Sequence, residues 1–342
     1  MLAPVLALAT AALAAAALWW RLRGIAARAI DECYEQAEWH RALAWIDRAS
    51  RWRLVPRAEL LDARALALQA LGDVDGAVAC ARAYLAHPTA GSPLHRANTA
   101  VDVLVFAGRY GEALAVTGTW DDARWRDFAV GHPPIFVILR ANLAEALYNL
   151  GRWDEALARL ADLDAAARTP LTAAILALQR AWILAHRGDG AAALRLVDGI
   201  DRVAFSAAWR AEAHYTRASA LLALDRIAEA GVEAEAGLTA ARRASSQRNG
   251  WFLLARVAAR AGDLARACAL FERGARHAYR RQGGDSLVLW GDVLSAQRRV
   301  ADARTAWSLA IERDPESAAA AIARDRTLTL LSSVGIVEPA RS

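Results

Sequence analysis

A six-residue pattern, Gly-x-apolar-x-x-Ala, recurs along this chain at nearly constant spacing. It reads GDVDGA from Gly72, GRYGEA from Gly108, GRWDEA from Gly151, GDGAAA from Gly188 and GDLARA from Gly262. Degenerate copies fill the gaps: AEWHRA from Ala37, DRIAEA from Asp225 and RRVADA from Arg298. The closing alanines are Ala42, Ala77, Ala113, Ala156, Ala193, Ala230, Ala267 and Ala303, so successive spacings are 35, 36, 43, 37, 37, 37 and 36. A period of this length defines an array of helix pairs, each burying its apolar face only against its neighbours. The glycine ends a first helix where positive φ is wanted, and the alanine lets a second helix pack closely on the first.

The last unit, LVLWGDVLSAQRRVADARTAWSLAIERDP, adds Trp290-Gly291 and Leu294 in the first helix, Ala303, Trp307 and Ala310 in the second, and Pro315 at the end. Trp251, Leu254, Ala267 and Phe271 repeat this register one unit earlier. These residues resemble the tetratricopeptide repeat signature, and the resemblance covers Arg23 to Pro315. It implies an all-α, right-handed superhelical solenoid of about eight helix pairs, with residues 316–342 forming a C-terminal capping helix and tail.

Composition agrees with an all-helical chain. Among 342 residues, 56% are hydrophobic and nine are proline, and no run of alternating β-branched residues argues for a sheet. Length alone would allow two domains, but the repeat makes one continuous array. All 42 basic residues are arginine, as in a GC-rich bacterial genome. The absence of lysine excludes a P-loop and a Schiff-base lysine. Cys33, Cys80 and Cys268 lie in different repeats without a C-x-x-C, and read as small buried hydrophobes rather than a disulfide framework or a zinc site.

Leu2 to Trp20 is an uncharged run ending in two tryptophans, followed by Arg21, Arg23 and Arg28. Its length suits a bilayer span of about 20 residues, with the paired Trp at an interface. Residues 1–20 are therefore expected to form a single transmembrane anchor. The arginine side places the repeats in the cytoplasm at a bacterial inner membrane. A cap on the solenoid and a cleaved signal are the alternatives. The signal reading lacks a basic n-region and a small-residue cleavage site.

Nothing in the sequence assembles catalytic chemistry or a cofactor site. GDGAAA at Gly188 fits a dinucleotide fingerprint but stands in register with the other repeat turns and follows a helical stretch rather than a strand. The seven histidines are scattered, with no H-E-x-x-H. GGDSL at Gly283 has no strand before it, and Asp121, Asp122 and Asp127 have no recognisable acid/base partner.

The expected function is a non-enzymatic interaction scaffold. If the first helices line the concave face, they present a peptide-binding groove. His95, Asn98 and Asp102 come from the third repeat, and Asn142, Glu145 and Asn149 from the fourth. Gln179, Trp182 and His186 follow from the fifth, then Tyr215 and Thr216 from the sixth. Amide side chains can both donate to and accept from an extended backbone, while Trp and Tyr offer apolar contact. The same residues could merely solvate an exposed helix face. The expected partners are a protein segment in the groove and the membrane through residues 1–20.

Ten arginines between Arg242 and Arg281 form a basic stretch in a chain of net charge +5. No aromatic platform or duplex-reading motif accompanies them, which argues against nucleic acid. Thr117 to Pro134, the source of the long spacing, reads either as a functional loop or as a helix whose tryptophans pack on the next unit. A soluble or secreted repeat protein, and an enzyme with a cryptic site, are the competing readings.

Overall fold

The computed structural model describes residues 2–35, 38–88, 91–163, 169–200, 205, 207–241, 244–276 and 284–333. Every element among them is helical, with no strand among the described residues. In chain order these are α1 (Leu2–Glu35), α2 (Trp39–Arg51), α3 (Arg57–Leu71), α4 (Val74–Ala86), α5 (Pro93–Phe106) and α6 (Tyr110–Ala115). Next come α7 (Asp122–Gly131), α8 (Pro133–Asn149), α9 (Trp153–Ala161), α10 (Pro170–Arg187), α11 (Gly190–Asp198) and α12 (Ala207–Ala223). The last are α13 (Ile227–Ala240), α14 (Ala244–Arg260), α15 (Leu264–Arg276), α16 (Gly284–Ala296), α17 (Val300–Arg313) and α18 (Ala318–Ser333).

The repeat turn is built as its residues dictate. Gly72, Gly108, Gly151, Gly188 and Gly262 take φ between +68 and +95. Asp225 and Arg298, which stand where glycine is absent, hold the same left-handed conformation at φ +60 and +62. The first motif copy begins at Ala37, outside the described residues. After the turn residue, the next amide bonds back to the end of the first helix: Asp73 N to Leu68 O, Arg152 N to Leu147 O and Arg299 N to Leu294 O, each at 2.9 Å. Where that residue is Asp, as at Asp73, Asp189 and Asp263, its carboxylate caps the second helix. Where it is Arg, it pairs with an acid three residues on, as Arg152 does with Glu155 and Arg299 with Asp302. All eight closing alanines are fully buried, as close packing of two helices requires.

Contacts divide the chain into two units, Met1–Leu104 and Val105–Ser342. In the first, α1 runs unbroken past Trp20 and packs Ala26 and Ile30 with Ile46, Ala49, Leu54 and Leu60. Its C-terminal part thus serves as the first helix of repeat one. Trp19 Nε1 donates to Arg53 O at 3.3 Å, and Arg23 pairs with Glu59 at 3.3 Å. Ala14 to Trp20 are exposed. The side chains of residues 1–13, which hold most of the expected anchor, lie outside the described ones. No helix among the described residues is long and apolar enough to cross a membrane.

In the second unit, the long spacing is accounted for by α7. Asp121 caps it by accepting from Arg124 N at 2.8 Å. Trp125 and Phe128 pack on the fourth-repeat core, with Trp125 edge-on to Phe136 at 6.0 Å. The insertion is a packing helix rather than an open loop. The unit also closes on itself. Glu316, in the link from α17 to α18, accepts from Gly111 N at 2.8 Å across 205 residues. The same link places Asp314 beside Gly108, and Ala318 at the start of α18 lies beside Gly151.

Cys33 and Cys268 are buried, Cys80 is half-buried, and all three are free thiols.

Candidate functional site

A cavity of about 650 Å³ lies within the second unit, walled by α8, α10, α12, α14 and α16 and by the start of α18. That volume falls in the range of ligand sites. The repeat register explains which side chains reach it. Counting back from the closing alanines, the position eighteen residues earlier is Glu212, Asn249 and Asp285 in the last three repeats. Eleven residues earlier it is Glu145, Trp182 and Arg256 in the fourth, fifth and seventh. These positions are two helical turns apart and share one face of each first helix. All six side chains line the cavity.

Five polar or aromatic groups from four helices meet at the wall. Trp182 and His186 stand on one turn of α10, with ring centroids 4.2 Å apart, and Tyr148 of α8 meets His186 edge-on at 5.7 Å. His186 Nδ1 lies 2.9 Å from Trp182 O, and Arg256 Nη1 of α14 lies 3.3 Å from His186 Nε2. A carbonyl only accepts, so Nδ1 carries the proton and Nε2 accepts from the guanidinium, which fixes the neutral tautomer. Burial, reinforced by the Arg256 charge, pushes the imidazole pKa down to about 3.

Asp285 of α16 completes the group. Burial raises its carboxyl above the ordinary value, opposed by the Arg256 charge and by a hydrogen bond with the Tyr148 hydroxyl. It nevertheless keeps surface open to the cavity. Burial also lowers Arg256 and raises Tyr148. Among the described residues, no three His, Cys, Asp or Glu side chains gather as a metal site.

The expected groove is only partly one surface. Glu145, Asn149, Gln179, Trp182, His186, Tyr215 and Thr216 all reach the cavity wall. Asn142, one turn along α8 from Glu145, is half-buried and is not among the lining residues. His95, Asn98 and Asp102 belong to the first unit, where Asp102 accepts from Gln69 at 3.4 Å and His95 meets the Ser92 hydroxyl at 2.8 Å. Tyr215 and Thr216 are core residues, each 1% exposed. The Tyr215 ring fills space that a side chain at Gly237 or Gly250 would need, and the Thr216 hydroxyl donates to Glu212 O at 2.8 Å.

Tyr148, Arg256, Asp285, Glu212 and Asn249 were not expected. Four of the five sit at offsets that the expected residues already used in other repeats, so applying those offsets to the sixth, seventh and eighth repeats finds them.

The basic stretch forms no continuous positive face among its described residues. Arg248 is 1% exposed, Arg260 pairs with Asp225 at 2.6 Å, and Arg273 stacks on Trp251 at 3.6 Å. Arg242, Arg243, Arg280 and Arg281 lie outside the described residues.

No protein-family model matches the chain, and no curated protein matches it. Among solved structures, a tetratricopeptide repeat protein from Parabacteroides merdae aligns at 17% identity over 80% of this chain and 98% of that one, with a TM-score of 0.49. Yeast Tom70 aligns at 11% identity over 86% of this chain and 77% of that one, with a TM-score of 0.32. The maize pentatricopeptide repeat protein PPR10 aligns at 18% identity over 90% of this chain and 49% of that one, with a TM-score of 0.29.

Proposed function

We propose that this chain is a non-enzymatic interaction scaffold whose second unit grips an extended segment of a partner protein in its cavity. The observation that carries this is the convergence of polar and aromatic side chains from successive first helices on one cavity. Asn149, Gln179 and Asn249 line it. Gln179 Oε1 is buried without a hydrogen-bond partner among the described residues. An orphan acceptor of this kind is costly unless a ligand N–H or water satisfies it.

Acids and a histidine do converge here, as a hidden active site would require. His186 argues against that reading, because both ring nitrogens are engaged and its depressed basicity leaves it a poor proton acceptor near neutrality.

The test is a photo-crosslinking amino acid placed at Gln179, with exposed Arg195 of α11 as the control position. A defined adduct from Gln179 and none from Arg195 is expected in intact cells. Equal labelling from both, or none from either, removes the cavity as the binding surface.

We further propose that α1 tethers the array to a bacterial inner membrane with the repeats on the cytoplasmic side. The support is the uncharged run Leu2 to Trp20, the arginines after it, and the bare Leu18 and Trp20, 58% and 64% exposed. Removing residues 1–20 should move the protein from the membrane to the soluble fraction with its helicity retained. Sedimentation and circular dichroism measure both. Full-length protein recovered in the soluble fraction without detergent would refute the tether.

A further inference from the structure

We propose that the cavity selects a basic segment, taking an arginine or lysine side chain of the partner between its carboxylates and its tryptophans. This rests on the cavity being the binding surface. Its wall carries Glu145, Glu212, Asp285 and Asp314 against Arg256, while His186 is neutral. The cavity lining thus carries more acidic than basic side chains, in a chain whose net charge is +5. Low-dielectric walls concentrate such a potential and favour a counter-charge. Asp285 is the best placed of the four, because it combines surface on the cavity with a position beside the aromatic group.

The tryptophans give an independent indication. Several indoles of this chain stack with its own arginines: Arg48 on Trp45 at 4.7 Å, Arg124 on Trp120 at 4.6 Å, Arg140 on Trp125 at 5.0 Å and Arg273 on Trp251 at 3.6 Å. Trp153, Trp182 and Trp209 line the cavity, with Trp182 tilted against His186 at 4.2 Å. A guanidinium or ammonium from outside would complete the same stack, and desolvation inside a cavity strengthens it.

The start of the last helix bears on entry. The start of α18 forms part of the wall, and the Glu316 to Gly111 hydrogen bond fixes the link that leads into it. A slender side chain on an extended segment suits such an opening better than a folded surface.

The experiment uses the full chain in detergent micelles and short fluorescent peptides of alternating serine and arginine, with glutamine and glutamate counterparts, read by fluorescence anisotropy. The arginine peptide should bind about tenfold more tightly than the glutamine one. The glutamate peptide should be weakest, although the protein's net charge alone would rank it first. Asp285→Asn and Trp182→Leu should each weaken arginine-peptide binding several-fold, with thermal unfolding monitored in parallel. Glu212→Gln supplies a second charge variant should Asp285→Asn disturb folding.

If glutamine or glutamate peptides bind as tightly and compete for the same site, the basic preference is wrong while the cavity reading stands. If the arginine peptide binds but ignores Asp285, Glu212 and Trp182, it sits elsewhere and the proposal falls. If no peptide binds, the cavity reading and this proposal fall together.

Discussion

Replacing Gly291 with alanine is expected to destabilise the last repeat by about 3 kcal/mol. A Cβ at that position would lie 2.2 Å from Trp307 Nε1 and 2.4 Å from its Cδ1. The indole cannot step aside cheaply, because it is buried and donates to Val288 O at 3.2 Å. Accommodating the methyl therefore means giving up much of a packed tryptophan, and losing one outright costs about 3–5 kcal/mol. Gly262→Ala provides the contrast. Nothing lies within 4 Å of its added methyl, and only the φ of +81 is strained, so the loss should be about 1 kcal/mol. Urea unfolding followed by tryptophan fluorescence measures both. Equal effects would show that the indole contact does not set the need for glycine at Gly291.

The second large effect is acid lability from His186. The unfolded chain takes up a proton on this residue near its ordinary pKa of 6.5, whereas the folded cavity resists until about 3. Between those values the unfolded state binds more protons, so stability falls as pH falls through the window. The expected contribution is on the order of 3 kcal/mol, reduced to the extent that water in the cavity screens the charge. His186→Gln keeps a donor and an acceptor without titrating, and should flatten this part of the profile. Asp285 acts in the opposite sense. Its raised carboxyl holds a proton in the folded state above the ordinary 3.8, so stability contributed there grows as pH falls towards that value. The two are separated by comparing denaturant midpoints of His186→Gln and Asp285→Asn from pH 7 to pH 3. A wild-type profile parallel to that of His186→Gln would disprove the histidine assignment.

Much of the local architecture was legible because the constraints on a helix pair are short-range. The closing alanines are uniformly buried since two helices cannot approach otherwise. The turn glycines are left-handed because the first helix must end there. Asp225 and Arg298 accept that conformation without being glycine, so the turn is imposed by the flanking helices and not by the residue alone. The site was less legible for a different reason. Which repeats face one another depends on small rotations accumulated over many helix pairs, and no six-residue pattern records that sum. Asn142 stands one turn from Glu145 yet is not among the lining residues, and Tyr215 reaches the cavity wall with most of its ring in core space that Gly237 and Gly250 leave open. His95, Asn98 and Asp102 follow the same register as the cavity residues but belong to another unit. Arg256 occupies a groove offset within the stretch read as basic, and Asp285 occupies one within GGDSL, read only as a catalytic motif without its strand.

An open solenoid can gain or lose a repeat at modest cost, because each unit touches only its neighbours. The bond between Glu316 and Gly111 removes that freedom from the second unit. An added or deleted pair between the third and eighth repeats would carry the α17–α18 link away from the Gly108–Gly111 turn by a whole repeat, and no small adjustment of packing could restore the contact. A change in the number of repeats would therefore cost this unit the contacts that join its two ends, a cost that an array touching only its neighbours does not bear.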